Sequence, residues 1–201
     1  MLFRSPSISR NRLDNSRVSL LPFCEWLAGR PWSIALHESL YMYPMVESTH
    51  VLTLCVFAGT AMLFDLRLLG LTMRRVPAAE VLARLLPWTR VGFAVMVVTG
   101  AMLFSAIPVR SYQNIFFRGK LVLLVLAGVN VWVFHRGIYR RVHEWGADPV
   151  LPRAARLAGV LSLVLWAGVI VSGRLIAYNW FDCDIQPQPA LVNWAAECSV
   201  P

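Results

Sequence analysis

This chain carries little charge. Only 15% of its 201 residues are Asp, Glu, Lys or Arg, against 57% hydrophobic, and the mean hydropathy is +0.57. A soluble domain with so little charge could not cover its own core, so composition excludes that class and leaves one integral membrane domain. The signatures of common enzyme classes are missing too. There is no glycine-rich phosphate loop, no His-Glu-x-x-His, no Cys-x-x-Cys and no Gly-x-Ser-x-Gly. No apolar h-region with a small-residue cleavage site follows the basic start, so a signal peptide is not expected. The net charge of +8 would suit nucleic acid, but the arginines lie in short segments between apolar runs rather than on one soluble face. They read as topology signals, with the lipid bilayer as partner and no nucleic acid.

What is present is a set of four apolar stretches. The first, Pro44 to Gly70, has a core from Val51 to Phe64 without a charge, and with its flanks reaches the roughly 20 residues that cross a bilayer. Glu47 and His50 stand on one helical face at its start, and Asp65 and Arg67 at its end. Ionisable groups inside a span are costly without a partner, so this stripe is the first place to look for function. The four spans are expected at about 45–66, 88–107, 116–136 and 156–180 within a membrane domain of residues 44–181. Before them, residues 1–17 are basic, lack periodicity and are expected to be disordered. Residues 18–43, broken by Pro22 and Pro31 and carrying Trp26, Trp32, Tyr41 and Tyr43, are expected as one or two short helices at the membrane interface. The expected fold is all-α: a four-helix integral membrane bundle with that interfacial segment.

Orientation follows from the loops. Arg67, Arg74, Arg75 and Arg84 in the first and Arg136, Arg140, Arg141, Arg153 and Arg156 in the third make nine, against Arg110, Arg118 and Lys120 in the second. The positive-inside rule then places both termini outside, which in a bacterial inner membrane is the periplasm. The arginines at 4, 10, 12 and 17 argue the other way but lie far from the first span. Residues 182–201 become an extracytoplasmic tail, where Cys183 and Cys198 either form a disulfide or stay as two thiols. Cys55 reads as a small packing residue.

This topology gathers Glu47, His50, Lys120 and Arg174 near the outer face, and Asp65, Arg67, Arg90, His135 and His143 near the inner one, with Asn130 between. Glu47 is expected to pair with Arg174 or Lys120. The charges serve either function or as staples between helices. His50, with Glu47, His37, Met42 and Met45, offers imidazole and thioethers, a ligand set suited to copper, although the same side chains also serve as packing groups. A b-type haem needs two opposed axial ligands at one depth. His50 and His135 lie at opposite faces. A quinone needs less: an apolar cleft with a histidine and an acid.

Residues 87–141 carry a resemblance. Arg90 opening a span, Thr99 and Gly100 later in it, Tyr112 in a short outer loop, Lys120 opening the next span and Asn130 ten residues on resemble the two-helix core of the copper-resistance D family of bacterial membrane proteins. Gly100 and Gly128 would there permit close helix approach. The Tyr43–His50 and Asp65–Gly70 segments also resemble an uncharacterised bacterial four-helix membrane family. Together these imply a non-enzymatic inner-membrane protein that binds or passes a metal ion, copper first, at the periplasmic face with a periplasmic metal-binding or redox partner. A haem or quinone electron-transfer subunit, and an accessory protein without ligand, are the alternatives.

Overall fold

The computed structural model describes residues 19–138, 151–178, 180–181 and 183–198. The expected disorder of residues 1–17, and Arg140, Arg141 and His143, lie outside the described residues. Every regular element among the described residues is helical. The order is α1 (Leu21–Ala28), α2 (Pro31–Glu38), α3 (Met42–Leu68), α4 (Ala78–Ala106), α5 (Pro108–Tyr112), α6 (Ile115–Val133), α7 (Arg153–Ile176) and α8 (Ala190–Ala196).

Prolines set most of the starts. Pro31 and Pro108 open α2 and α5, where a missing N–H costs nothing. Pro77, Pro152 and Pro189 stand directly before α4, α7 and α8. Asn114 caps α6 with its side chain, accepting from the Phe116 and Phe117 amides at 3.0 and 3.2 Å. After α3 the chain turns at Gly70, whose φ of 71° lies in the region open to a residue without Cβ.

α4 begins well before the apolar run expected from residue 88. The segment after Pro77 is rich in Ala, Leu and Glu, good helix formers, and Arg84 reaches back one turn to Glu80 at 2.6 Å. Pro87 stays inside the helix, as a membrane helix with packing neighbours tolerates. α6 continues through a π-turn at Phe134–Ile138, which completes a span of Ile115–Gly137.

α3 packs most extensively on α4, and α6 on α7, with α3 and α7 joining the two pairs. At the Asp65 level Phe64 meets Phe134 edge-on at 5.9 Å among Leu68, Val81 and Ala155. Midway, Phe57 meets Trp166 edge-on at 4.7 Å. Glycines make the close approaches possible: a Cβ on Gly92 would lie 3.0 Å from Phe57 Cβ, and one on Gly168 3.1 Å from Leu123 Cδ1. Gly128 was expected to do the same and does not, since nothing lies within 4 Å of a Cβ there. The outward faces are apolar: Leu52, Val125 and Val164 are 69%, 66% and 63% exposed. Four such helices are each long and apolar enough to cross a membrane, and a belt of this kind is stable against lipid rather than water.

Candidate functional site

His50 lies in the first half of α3, on the side that meets α4. Its Nδ1 is 2.8 Å from Thr99 Oγ1, and that hydroxyl is 2.7 Å from the Val95 carbonyl one turn back. With its hydrogen given to Val95, the hydroxyl can only accept, so Nδ1 carries the imidazole proton and Nε2 is left as an acceptor. Gly100 provides the room, because a Cβ there would stand 3.3 Å from His50 Cε1.

From α6 comes Lys120, the only lysine in the chain. Its ammonium lies over Gly173 of α7, where a Cβ would be 3.6 Å from Nζ. No hydrogen bond or ion pair to the ammonium occurs among the described residues. α4 and α6 are not main packing partners, but Phe104 of α4 stacks on Phe117 of α6 at 5.5 Å between centroids. Both rings lie about one turn from Gly100 and Lys120, toward the same end of the bundle. Each of the four spans thus contributes: an oriented imidazole acceptor, an ammonium donor, two glycine gaps and a stacked aromatic pair.

The other expected residues separate from this point. Glu47 is exposed and makes no ion pair with Arg174 or Lys120, which corrects the expected pairing; Arg174 instead lies over the Tyr178 ring at 5.2 Å. The reason is rotation about α3. Three residues of spacing leave about 60° between Glu47 and His50, enough for one to face outward while the other faces α4. Met42, Met45 and His37 are also exposed, with Met45 in a surface groove beside Leu40, Tyr41 and Leu52, and the His37 ring edge-on to Tyr43 at 6.4 Å. No group of three or more His, Cys, Asp or Glu able to hold a metal ion occurs among the described residues.

At the other end Asp65 and Arg67 are 6% and 0% exposed. Arg67 Nε donates to the Val76 carbonyl at 2.9 Å, and Asp65 interacts with the Ser162 side chain of α7. Asn130 Nδ2 donates to the Ala158 carbonyl at 3.0 Å. His135 stands at the π-turn, at the opposite end of the bundle from His50.

Cys183 and Cys198 are joined in a disulfide with Cα atoms 5.2 Å apart. Beside it lies a cluster the sequence reading missed. Glu197 accepts from Ser19 Oγ at 2.6 Å and from Tyr112 Oη at 3.0 Å, and pairs with Arg118 at 3.3 Å. Burial pushes its carboxyl up, but the hydrogen bonds from Ser19 and Tyr112 and the Arg118 guanidinium outweigh it and hold Glu197 below the usual carboxylate range. No spacing rule connects positions 118 and 197; the neighbouring Cys198 was the only sequence signal there.

The fold and its outward faces define a multi-pass membrane protein built on a four-helix bundle. The chain belongs to the DUF6644 family, a family of unknown function, whose model matches residues 38–179 and so takes in all four spans and His50, Thr99, Lys120 and Gly173. No curated protein and no solved structure matches it.

Proposed function

We propose that this protein binds the head group of a membrane quinone at the His50–Lys120 site, as the membrane subunit of an electron-transfer complex. The observation that carries the reading is the Lys120 ammonium, packed over Gly173 with no carboxylate on it among the described residues, at the end of the bundle that also holds His50. An ammonium held away from water calls for an oxygen acceptor. A ring carbonyl accepts from Lys120, and the hydroxyl of the reduced carrier donates to His50 Nε2. Phe104 and Phe117 supply the aromatic face. Electrons come from a partner dehydrogenase. The arginine distribution favours a cytoplasmic Asp65 end and an outer His50 end, in an inner membrane.

Copper, the metal suggested by the resemblance of residues 87–141, fits these residues less well. Its ligands would have to converge on His50, and Met42, Met45, Glu47 and His37 are exposed around α2 and α3 instead. A b-type haem lacks a second histidine at the depth of His50 among the described residues.

The test uses full-length protein in nanodiscs titrated with a short-chain benzoquinone, read by tryptophan quenching. Saturable binding that Lys120→Met and His50→Phe each weaken at least tenfold is the expected result. No saturable binding, or affinity untouched by both variants, overturns the reading. So does a Soret band or stoichiometric copper in the purified protein that is lost in His50→Ala.

A further inference from the structure

The tail after α7 meets the first turn of α6 at both ends: Phe181 packs on Phe116 at 5.5 Å between ring centroids, and Glu197 pairs with Arg118. The disulfide between Cys183 and Cys198 closes a loop, and the residue just inside that closure, Glu197, takes a left-handed conformation with φ 57°. A glutamate is held there only when its surroundings over-determine it. They do. Its two carboxylate oxygens reach Ser19 before α1, Tyr112 at the end of α5 and Arg118 in the first turn of α6. Its carbonyl accepts from Gln113 Nε2 at 3.3 Å. Arg118 is committed to the same place: NH1 donates to the Ala195 carbonyl of α8, Nε to the Tyr112 carbonyl at 2.8 Å, and the guanidinium covers the Tyr112 ring at 4.2 Å.

Arg118 stands two residues before Lys120 on one helix, so what fixes Arg118 fixes the end of α6 that carries the ammonium. Both cysteines are half-buried, not sealed. We infer that the Cys183–Cys198 disulfide is a redox latch: oxidised, it presents Glu197 to Arg118, Tyr112 and Ser19 and clamps the start of α6; reduced, it releases the tail and loosens that end of the site. The reductant is a dithiol on the tail's side of the membrane. One of its thiolates attacks a cystine sulfur and displaces the other as thiolate, and its second thiol resolves the mixed disulfide. Two electrons and two protons pass to Cys183 and Cys198, and the dithiol leaves as its own disulfide. Only the effect on the ligand rests on the quinone reading.

Hydrogen exchange on the full chain in nanodiscs, with and without dithiothreitol, tests the latch. Reduction is expected to speed exchange across residues 112–120 at least tenfold, with the middle of α3 unchanged. Cys183→Ser/Cys198→Ser should match the reduced protein without reductant. Glu197→Gln, with the disulfide intact, should fall between. Unchanged exchange over residues 112–120 on reduction overturns the latch and leaves the disulfide as a tie within the tail. Benzoquinone affinity measured on the same samples separates the two readings: a latch seen by exchange in protein that binds no benzoquinone in either redox state sinks the ligand and spares the latch.

Discussion

The tight approach of α4 to α3 at one glycine can be weighed against an empty position of the same residue type. Gly92 of α4 packs on Phe57 of α3, where an added Cβ would lie 3.0 Å from Phe57 Cβ, 3.3 Å from its Cα and 3.4 Å from its amide nitrogen. Favourable carbon contacts are about 3.5–4.0 Å. The obstacles are backbone and Cβ, which no rotamer change removes, so Gly92→Ala forces α3 and α4 apart by several tenths of an ångström. Overpacking of this kind costs about 1–3 kcal/mol. Replacing a helical glycine by alanine returns roughly 0.5–1 kcal/mol of backbone entropy. Gly128 of α6 meets nothing within 4 Å, so Gly128→Ala collects the same gain without the clash. Propensity cancels between the two variants. Gly92→Ala should therefore be less stable than Gly128→Ala by about 1–3 kcal/mol, measured by reversible unfolding in mixed micelles with rising sodium dodecyl sulfate. Equal stabilities, or the reverse order, would refute the α3–α4 contact.

Thr99→Val keeps the shape and removes the acceptor of His50 Nδ1; a loss of about 0.5–1.5 kcal/mol is expected, and nitrogen NMR of labelled histidine should show the fixed tautomer giving way. An unchanged histidine signal would count against the tautomer assignment. Because the hydrogen bonds of Glu197 hold its carboxyl below the ordinary value of 4.5, its contribution is complete above that value and lost as pH falls through the lower folded value. Protection over residues 112–120, taken relative to the intrinsic exchange rate at each pH, should then fall on acidification in the wild type and stay flat in Glu197→Gln, and identical profiles would remove Glu197 from the clamp. Cys24 is buried, and that burial pushes its thiol up, so in a Cys24→Ser/Cys55→Ser background an impermeant maleimide should reach Cys198 in intact cells after impermeant reductant. Labelling only after lysis would turn the protein over in the membrane.

The four spans were legible because a run of about 20 apolar residues has few other uses. Rotation of each helix was not legible. In a water-soluble bundle the polar face points out and the apolar face in; here Leu52 and Val125, facing outward, are as apolar as Phe57 and Trp166 in the core. Glu47 and His50 therefore looked like one stripe, and Gly128 looked like a packing glycine. The first turns of α4 were hidden for another reason: Pro77, Pro87 and the arginines resemble a loop, although Pro77 precedes the helix and Glu80–Arg84 closes a turn of it. His50 and Lys120 were both singled out, one as a metal ligand and one as a charge partner. The topology had put both near the outer face but did not say which neighbouring helix each would meet, which depends on helix rotation. Nothing in the spacing of Arg118 and Glu197 announces a contact between them.

The two ends of the bundle treat their polar groups differently, and that difference bears on function. At the Asp65 end much of the polar chemistry is met from within the chain: Arg67 donates to the Val76 carbonyl, Asn130 to the Ala158 carbonyl, and Asp65 has the Ser162 side chain, while its Oδ2 is buried with no hydrogen bond among the described residues. These contacts join α3 to the following loop, α6 to α7 and α3 to α7, as staples would. At the His50 end the imidazole is oriented by Thr99, and the lone lysine has no carboxylate on it among the described residues. If Lys120 were a staple, the cheapest arrangement would set it against Glu47, three residues from His50 and still exposed. The fold leaves that carboxylate outside, and this is the ground for the proposal that an external oxygen acceptor meets the ammonium.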